Sequence, residues 1–219
     1  MTSVRTFLPL LAGVFSFVSL TIANAHPHVF AEARLEVVSN AEGEIQRLQN
    51  VWRFDELFTA TVIFEFDLDG DNQLNEDEAS ELAKVITESL ADYDYFLEVK
   101  TDDGNVSVQP VTDMRTMFDG PQMILFFTAK PSETVILADA PQISVYDPTF
   151  YTSIEFYEDD AMEIQGGPST CEHDMVIPDI EAILAQSQDT LTEEFFNDPA
   201  GNDYSRMFAT RMEISCAAG

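Results

Sequence analysis

Acidic and amide side chains between residues 67 and 78 have the types and spacing of a calcium-binding loop. Calcium prefers hard oxygen ligands, and EF-hand loops supply them from positions one, three, five, seven, nine and twelve. Those positions hold, in order, Asp67, Asp69, Asp71, Gln73, Asn75 and Glu78. Gln73 would give its backbone carbonyl oxygen and Glu78 both of its carboxylate oxygens. The spacing therefore predicts one calcium site in this loop.

The sixth position of the loop, which is usually glycine, is Asn72. Asparagine is the side chain that best tolerates the left-handed backbone conformation after glycine, so the substitution keeps the turn feasible. Leu74 holds the apolar position expected at eight. The alternative interpretation is an acidic surface turn that joins two helices without binding an ion.

Apolar residues recur at helical spacing on both sides of the loop. We predict one helix over residues 55–66 and another over 76–91, so that a helix-loop-helix unit spans residues 54–91. The positions that set this spacing are Phe54, Leu57, Phe58, Val62 and Phe66 before the loop, and Ala79, Leu82, Ala83, Ile86 and Leu90 after it.

Histidines provide a second chemical signal, because two of the three in the chain, His26 and His28, lie close together. If the chain is cleaved before His26, the new α-amine and the imidazole of that residue could chelate a transition metal, and His28 could add a nitrogen. Zinc, nickel, cobalt or copper would prefer these nitrogens to an all-oxygen loop. The site could be completed by Asp147, His173 or Asp174. Alternatively, the two histidines only flank a cleavage site and begin a strand.

The N-terminus has the features of a secretory signal peptide over residues 1–25. Arg5 precedes an apolar run, and Ala23-Asn24-Ala25 offers a small-residue cleavage site. We expect cleavage after Ala25 and a periplasmic or secreted product. The apolar run is shorter than a bilayer span and no second one follows, so we expect no membrane span in the mature chain.

The only cysteines are Cys171 and Cys216, and a lone pair in an oxidising compartment usually forms a disulfide. Such a bridge would stabilise the fold by about 4 kcal/mol in the chain-entropy description. The alternative is a metal site built from Cys171 and His173.

The charge balance is strongly acidic, with 40 Asp and Glu against 10 Lys and Arg and a net charge of −30. Such a surface repels phosphate groups, so nucleic acids and anionic lipids are not expected partners. A negative field also concentrates cations near the protein, which suits a role in metal handling.

Strand patterns dominate the rest of the chain. A hairpin is predicted from residues 29–37 and 45–53, and a C-terminal helix over 177–188 precedes a loop at 189–204 and a closing strand at 206–216. We therefore predict a β-rich single α+β domain over residues 26–219, with the EF-hand unit inserted after the first hairpin and a C-terminal helix plus strand. Further strands are predicted at 95–101, 106–111, 123–130, 134–137, 142–146, 152–157 and 162–164.

Three motifs and a terminal cysteine give the chain a resemblance to a known family. They are His26-Pro27-His28-Val29-Phe30, Trp52-Arg53-Phe54-Asp55-Glu56 before the acidic loop, and Ser144-Val145-Tyr146-Asp147-Pro148-Thr149-Phe150-Tyr151. The chain resembles the domain-of-unknown-function family 1007, exported bacterial proteins often described as periplasmic components of uncharacterised transport systems. Members commonly accompany predicted nickel, cobalt or zinc permeases. The resemblance implies an accessory role in metal handling, with an inner-membrane metal permease as partner.

Two functional hypotheses follow from these features. The first is an exported calcium-binding protein that assists periplasmic transition-metal handling or transport. The second is a calcium-stabilised structural module that docks on an envelope partner and binds no transition metal. We do not expect an enzyme, because no combination of nucleophile, base and orienting group is apparent.

Overall fold

A computed structural model describes residues 27–186 and 205–217, and the chain is β-rich within these ranges. The opening strand, β1 (Val29–Ser39), buries every second residue, because successive side chains of a strand point to opposite faces. It pairs in antiparallel fashion with β2 (Ile45–Phe54) through a turn at Gly43, whose φ of 85° is readily adopted only by glycine. The predicted opening hairpin is confirmed.

The first sheet is built around this hairpin. Its strand order is β5-β6-β2-β1-β8, and β9 also pairs with β1. Both β8 and β9 run parallel to β1, β8 along its first part and β9 along its second part, whereas the other pairs are antiparallel. The added strands are β5 (Arg115–Asp119), β6 (Gln122–Ala129), β8 (Thr152–Glu155) and β9 (Met162–Gly166).

The second sheet is antiparallel throughout, with the order β10-β11-β7-β3-β4. Its strands are β3 (Leu97–Thr101), β4 (Gly104–Val106), β7 (Gln142–Val145), β10 (Cys171–Val176) and β11 (Arg211–Cys216). The predicted disulfide is confirmed, because Cys171 and Cys216 face each other across β10 and β11 and are bonded. The bridge leaves no thiolate at Cys171, so the alternative metal site with His173 is wrong.

One cluster of buried apolar residues contains side chains from both sheets, so the two sheets share a core. The largest completely buried side chains are Trp52, Leu35, Leu48, Met123, Leu125, Leu137, Ile143, Met162 and Met212. Trp52 lies among aromatic rings, stacked on Phe96 at 6.0 Å and edge-on to Phe127 at 5.0 Å between ring centroids. Burial of these side chains is the main source of stability.

Two helices, α1 (Glu56–Phe66) and α2 (Glu76–Ala91), follow β2. Asp55 caps α1, since its carboxylate accepts the N–H of Phe58 at 2.9 Å. The Met123 N–H donates to the Thr59 hydroxyl oxygen at 3.0 Å, and the Thr116 hydroxyl donates to the Ala79 carbonyl at 3.0 Å. These bonds hold α1 against β6 and α2 against β5, at one edge of the first sheet.

Several predicted elements differ from those observed. Residues 134–137 form no strand, but Ile136 forms a single bridge with Glu44, and the segment leads into a 3₁₀ turn at Leu137–Asp139. The strand predicted at 106–111 ends at Val106, and β5 and β10 were not predicted. The C-terminal helix, α3 (Ile180–Gln186), begins at Ile180 rather than at 177, because the Asp179 carboxylate accepts the Ala182 N–H at 3.0 Å and caps its start, and residues 187–188 lie outside the described ranges. The whole of the predicted loop at 189–204 lies outside the described residues.

Within residues 27–186 and 205–217, none of the helices combines the length and apolar character needed to cross a membrane.

Candidate metal sites

The loop between α1 and α2 brings three aspartates together. Asp67, Asp69 and Asp71 each offer a carboxylate oxygen, and these oxygens lie within 4.8 Å of one another. Two oxygens on opposite sides of a calcium ion are separated by about 5 Å, because each Ca–O distance is about 2.3–2.6 Å. The three carboxylates therefore fit a single calcium ion, and they are hard oxygen donors of the type that this ion takes.

Backbone N–H groups fix the shape of the loop. The Asp67 carboxylate accepts the N–H of Gly70 at 2.7 Å, of Asn72 at 2.8 Å and of Asp71 at 3.2 Å. Asn72 has a φ of 65°, so the sixth position adopts the left-handed conformation expected from the sequence. The Gln73 N–H donates to Asp71 at 2.8 Å. The loop curls around the first aspartate and holds its own carboxylates together.

The protonation equilibria of two aspartates reflect this arrangement. Desolvation raises the pKa of Asp67, but the N–H groups of Asn72, Gly70 and Asp71 outweigh it and hold that pKa below its ordinary value. The Asp71 N–H lowers the pKa of Asp69, but the negative charge of Asp71, together with desolvation and the charges of Glu78 and Asp67, raises it above its ordinary value. Repulsion between carboxylates is therefore concentrated on Asp69, and a bound cation would relieve it.

Glu78 is buried beneath the loop, with 6% of its surface exposed. One carboxylate oxygen accepts the N–H of Leu68 at 2.7 Å and the other accepts the N–H of Asn75 at 2.9 Å. The Asn75 side chain in turn accepts the Glu78 N–H at 3.2 Å, which completes a capping box at the start of α2. Glu78 thus connects the entrance of the loop to the start of α2, next to the aspartate cluster.

The second set of predicted ligands lies near the start of β1. His26 is outside the described residues. His28 is exposed, its N–H donates to the Tyr151 carbonyl at 2.8 Å, and its ring lies 5.1 Å from the Tyr151 ring. Asp147 is buried, and its carboxylate accepts the Thr149 N–H at 2.7 Å, the Thr149 hydroxyl at 2.6 Å and the Thr152 N–H at 2.9 Å. His28 therefore contacts the loop of residues 147–152 that contains Asp147.

His173 is placed elsewhere, with Nε2 3.0 Å from the Met162 carbonyl oxygen. Along β1, Thr152 pairs with Val29 but Met162 pairs with Leu35. Six residues of strand separate these points by about 20 Å, which is too far for His173 or the adjacent Asp174 to complete a site with His28. Within the described ranges, the aspartate cluster of the loop is the one group of three or more His, Cys, Asp or Glu ligands that converge.

Sequence reasoning missed a cavity of about 420 Å³ between the helix pair, the first sheet and residues 147–152. Its walls come from distant parts of the chain, including Trp52, Phe58, Phe96 and Tyr151. Each of these aromatic residues fits an ordinary strand or helix pattern, so the one signal in the sequence was the Tyr146-Asp147-Pro148-Thr149 motif.

Together, the two sheets and the acidic helix-loop-helix define a β-rich protein with a candidate cation-binding loop. The chain belongs to the family described as Protein of unknown function (DUF1007), which matches residues 11–216, so the predicted family membership is confirmed. No curated protein and no solved structure matches the chain.

Proposed function

We infer that the protein binds one calcium ion in the loop of residues 67–78, with Asp67, Asp69, Asp71, Gln73 and Glu78 as ligands. The observation that carries this proposal is the convergence of three aspartate oxygens within 4.8 Å in an EF-hand-like ligand spacing. The raised pKa of Asp69 supports it, because neighbouring negative charge is the signature of a site that a cation would neutralise.

Calcium would act in this protein as a structural clip rather than as a sensor. A single loop in an exported module is expected to bind weakly, with a Kd of about 10⁻⁴ to 10⁻³ M. Its effect would be to fix α1 relative to α2, since Asp67 ends the first helix and Glu78 lies in the first turn of the second. The role we infer is binding rather than catalysis.

The wider function that we infer is that of an exported accessory protein in periplasmic transition-metal handling or transport. The signal-like N-terminus and the disulfide are compatible with export. The ligands for zinc, nickel, cobalt or copper would be His26 and His28, with Asp147 as a third candidate. The hydrogen bond from the His28 N–H to Tyr151, in the loop that contains Asp147, supports this grouping. The expected partner is an inner-membrane metal permease.

An exposed apolar face on α1 favours the second hypothesis, a calcium-stabilised module that docks on an envelope partner. Leu57 is 77% exposed and Phe64 is 87% exposed, and Leu68, just beyond the end of the helix, is 87% exposed. Leu57 and Phe64 are seven residues apart and therefore lie on the same side of the helix. In this alternative, calcium would hold the apolar face in place and the histidines would have no role.

Isothermal titration of the form that begins at His26 tests these proposals. Metal-free protein is titrated with calcium, and separately with zinc, nickel, cobalt and copper. We expect Glu78→Gln to weaken calcium binding at least about ten-fold, because one of four carboxylates is lost. Glu76→Gln is the matched control, since it removes the same charge from an exposed position in the same helical turn.

The histidine proposal is decided by the same titrations on the double variant His26→Ala/His28→Ala. Transition-metal binding that disappears in this variant, with calcium binding unchanged, would support the metal-handling role. Calcium binding without any transition-metal binding would favour the docking module. Absence of calcium binding, or equal weakening by Glu78→Gln and Glu76→Gln, would overturn the calcium site.

A further inference from the structure

A cavity next to the helix pair has the size of a small-molecule site. Its volume of about 420 Å³ falls in the range of about 300–1,000 Å³ that is usual for ligand pockets. Buried Trp52 and Leu125 of the first sheet contribute to its inner wall, whereas Tyr93 and Tyr151, which are about half exposed, lie at its mouth. The cavity is therefore accessible from solvent and closed at its inner end.

Aromatic side chains form much of the wall. Six of the lining residues are aromatic, namely Trp52, Phe54, Phe58, Tyr93, Phe96 and Tyr151. The Trp52 and Phe96 rings are stacked, and the Phe54 and Phe58 ring centroids lie 5.1 Å apart. The faces of aromatic rings carry partial negative charge and attract organic cations, most strongly where water is excluded.

A carboxylate lies in the same wall. Asp147 is 4% exposed and forms no ion pair with a Lys, Arg or His among the described residues. The described lining contains no basic residue either. Three N–H and O–H donors from Thr149 and Thr152 hold the carboxylate in position. A buried carboxylate without a cationic partner, at the edge of an apolar space, favours a ligand that brings positive charge.

The backbone is strained on two sides of this cavity. Asp94, Tyr95 and Phe96 are consecutive and have φ of 48°, 55° and 61°, and Phe150 has φ of 58°. Side chains other than glycine rarely adopt this region, and such residues concentrate at ligand-binding sites. The strained residues are adjacent to or part of the cavity wall at Tyr93, Phe96, Thr149 and Tyr151. The backbone of the segments that carry these rings is therefore strained, which lowers the stability of the fold.

We propose that this cavity binds an organic cation, of the class of methylated or alkylated ammonium compounds, between the aromatic walls and the Asp147 carboxylate. The aromatic rings contact the alkyl groups and the positive charge, and Asp147 supplies the opposite charge. A bare metal ion would gain little from the rings, since calcium takes oxygen and transition metals take nitrogen, sulfur or oxygen. The site is separate from the calcium loop, but it shares Asp147 with the proposed histidine site, so an organic cation and a transition metal would compete for this carboxylate.

Trp52 makes the test direct, because it is the only tryptophan in the chain and lines the cavity. Its fluorescence is followed during titration of the purified protein with choline, with benzyltrimethylammonium and with 3,3-dimethylbutan-1-ol, the neutral isostere of choline. We expect a saturable signal with at least one cation. The neutral isostere should bind at least about ten-fold more weakly than choline where choline binds.

Two variants connect binding to the proposed residues. Asp147→Asn should remove the preference for charge, and Tyr151→Leu should weaken cation binding by about three- to ten-fold through loss of one ring at the mouth. Tyr157→Leu is the matched control, because Tyr157 is also exposed but does not line the cavity. Circular dichroism verifies folding. If Asp147→Asn does not fold, comparison of Tyr151→Leu with Tyr157→Leu tests whether the cation binds in the cavity.

Three results would overturn the proposal. These are no saturation with either cation at millimolar concentration, equal binding of choline and its neutral isostere, or equal effects of Tyr151→Leu and Tyr157→Leu. Repeating the titration in EGTA separates this site from the calcium loop. Organic-cation binding that is unchanged in Glu78→Gln, the variant with weakened calcium binding, would show that the two sites are independent.

Discussion

The aspartates of the 67–78 loop and Asp147 use the same carboxylate group in opposite ways. Asp69 and Asp71 are exposed, and repulsion between neighbouring carboxylates raises the pKa of Asp69 even though the Asp71 N–H opposes it. Asp147 is buried and accepts three hydrogen bonds from two threonines. The exposed carboxylates thus repel one another, whereas the Asp147 carboxylate is held by neutral donors of its own loop and has no ion-pair partner among the described residues.

The two sites also differ in how they are built. The hydrogen bonds to the Asp67, Asp69 and Asp71 carboxylates come from residues at most five positions away. The cavity beside Asp147 combines residues from β1 and β2, both helices of the pair and the 147–152 loop. A site of the first kind is determined by local sequence, and one of the second kind by the tertiary fold. Substitutions should therefore act differently in the two places.

The largest difference in stability between the two sites is expected when an aspartate is replaced by alanine. Asp147→Ala removes a buried charged acceptor and leaves the partly buried N–H groups of Thr149 and Thr152 without it, so the free energy of unfolding should fall by about 1–3 kcal/mol. Asp69→Ala should not destabilise the metal-free protein, because it relieves repulsion. Urea unfolding in EGTA measures both effects.

Asp139→Ala is the control for the general effect of losing an aspartate. Asp139 is exposed, so we expect a change of less than about 0.5 kcal/mol. If Asp147→Ala lowered the free energy of unfolding no more than Asp139→Ala, the buried carboxylate would not hold its loop. The proposed difference between the two sites would then be wrong.

A second difference concerns the response of Asp69 to pH and calcium. Its folded-state pKa is raised, so the ionised carboxylate destabilises the metal-free protein above that pKa, and the penalty disappears below the unfolded-state value. Asp69→Asn should therefore raise the Tm in EGTA at pH 7 but lower calcium affinity about ten-fold or more. Thermal scans of both proteins with and without calcium, at pH 7 and pH 4, measure this reversal.

The pKa of Asp67 is shifted in the opposite direction from that of Asp69, so Asp67 serves as the internal comparison. Its folded-state pKa is lowered, so its contribution to stability is present above the unfolded value of 3.8 and is lost as pH falls through the folded value. Asp67→Asn should consequently lower the Tm in EGTA at pH 7. If Asp69→Asn and Asp67→Asn changed the Tm in the same direction, the assignment of carboxylate repulsion to Asp69 would be contradicted.

The contrast explains which parts of the molecule the sequence could predict. The left-handed Asn72 and the convergence of the aspartates follow from spacing over the twelve residues of the loop, the helix pair follows from apolar spacing on both sides of it, and β1 and β2 follow from alternation. The strand β10 was missed because its sequence has few apolar residues and no clear alternation. Its conformation comes from pairing with β11 and from the disulfide. The left-handed conformation of Asp94, Tyr95 and Phe96 has no local signal, since none is glycine.

The smallest effects are expected at the two positions where a residue other than glycine has positive φ within these loops. At Asn72, replacement by Gly should change stability by less than about 0.5 kcal/mol, while replacement by Ala should cost about 1 kcal/mol, because only the backbone preference differs. At Phe150, Gly relieves the same backbone strain but removes the ring that packs 5.6 Å from Phe208. We expect a net loss of about 1 kcal/mol there, since ring packing outweighs the relief.

Urea unfolding of the three variants measures whether each loop is shaped locally or by packing. A neutral Asn72→Gly together with a destabilising Phe150→Gly would place the shape of the 67–78 loop in its backbone and that of the 147–152 loop in its contacts. If Phe150→Gly were stabilising, the free-energy cost of the backbone strain at Phe150 would exceed the stabilisation from packing of its ring. The 147–152 loop would then be held in its conformation by Asp147 and its threonine donors rather than by the aromatic ring.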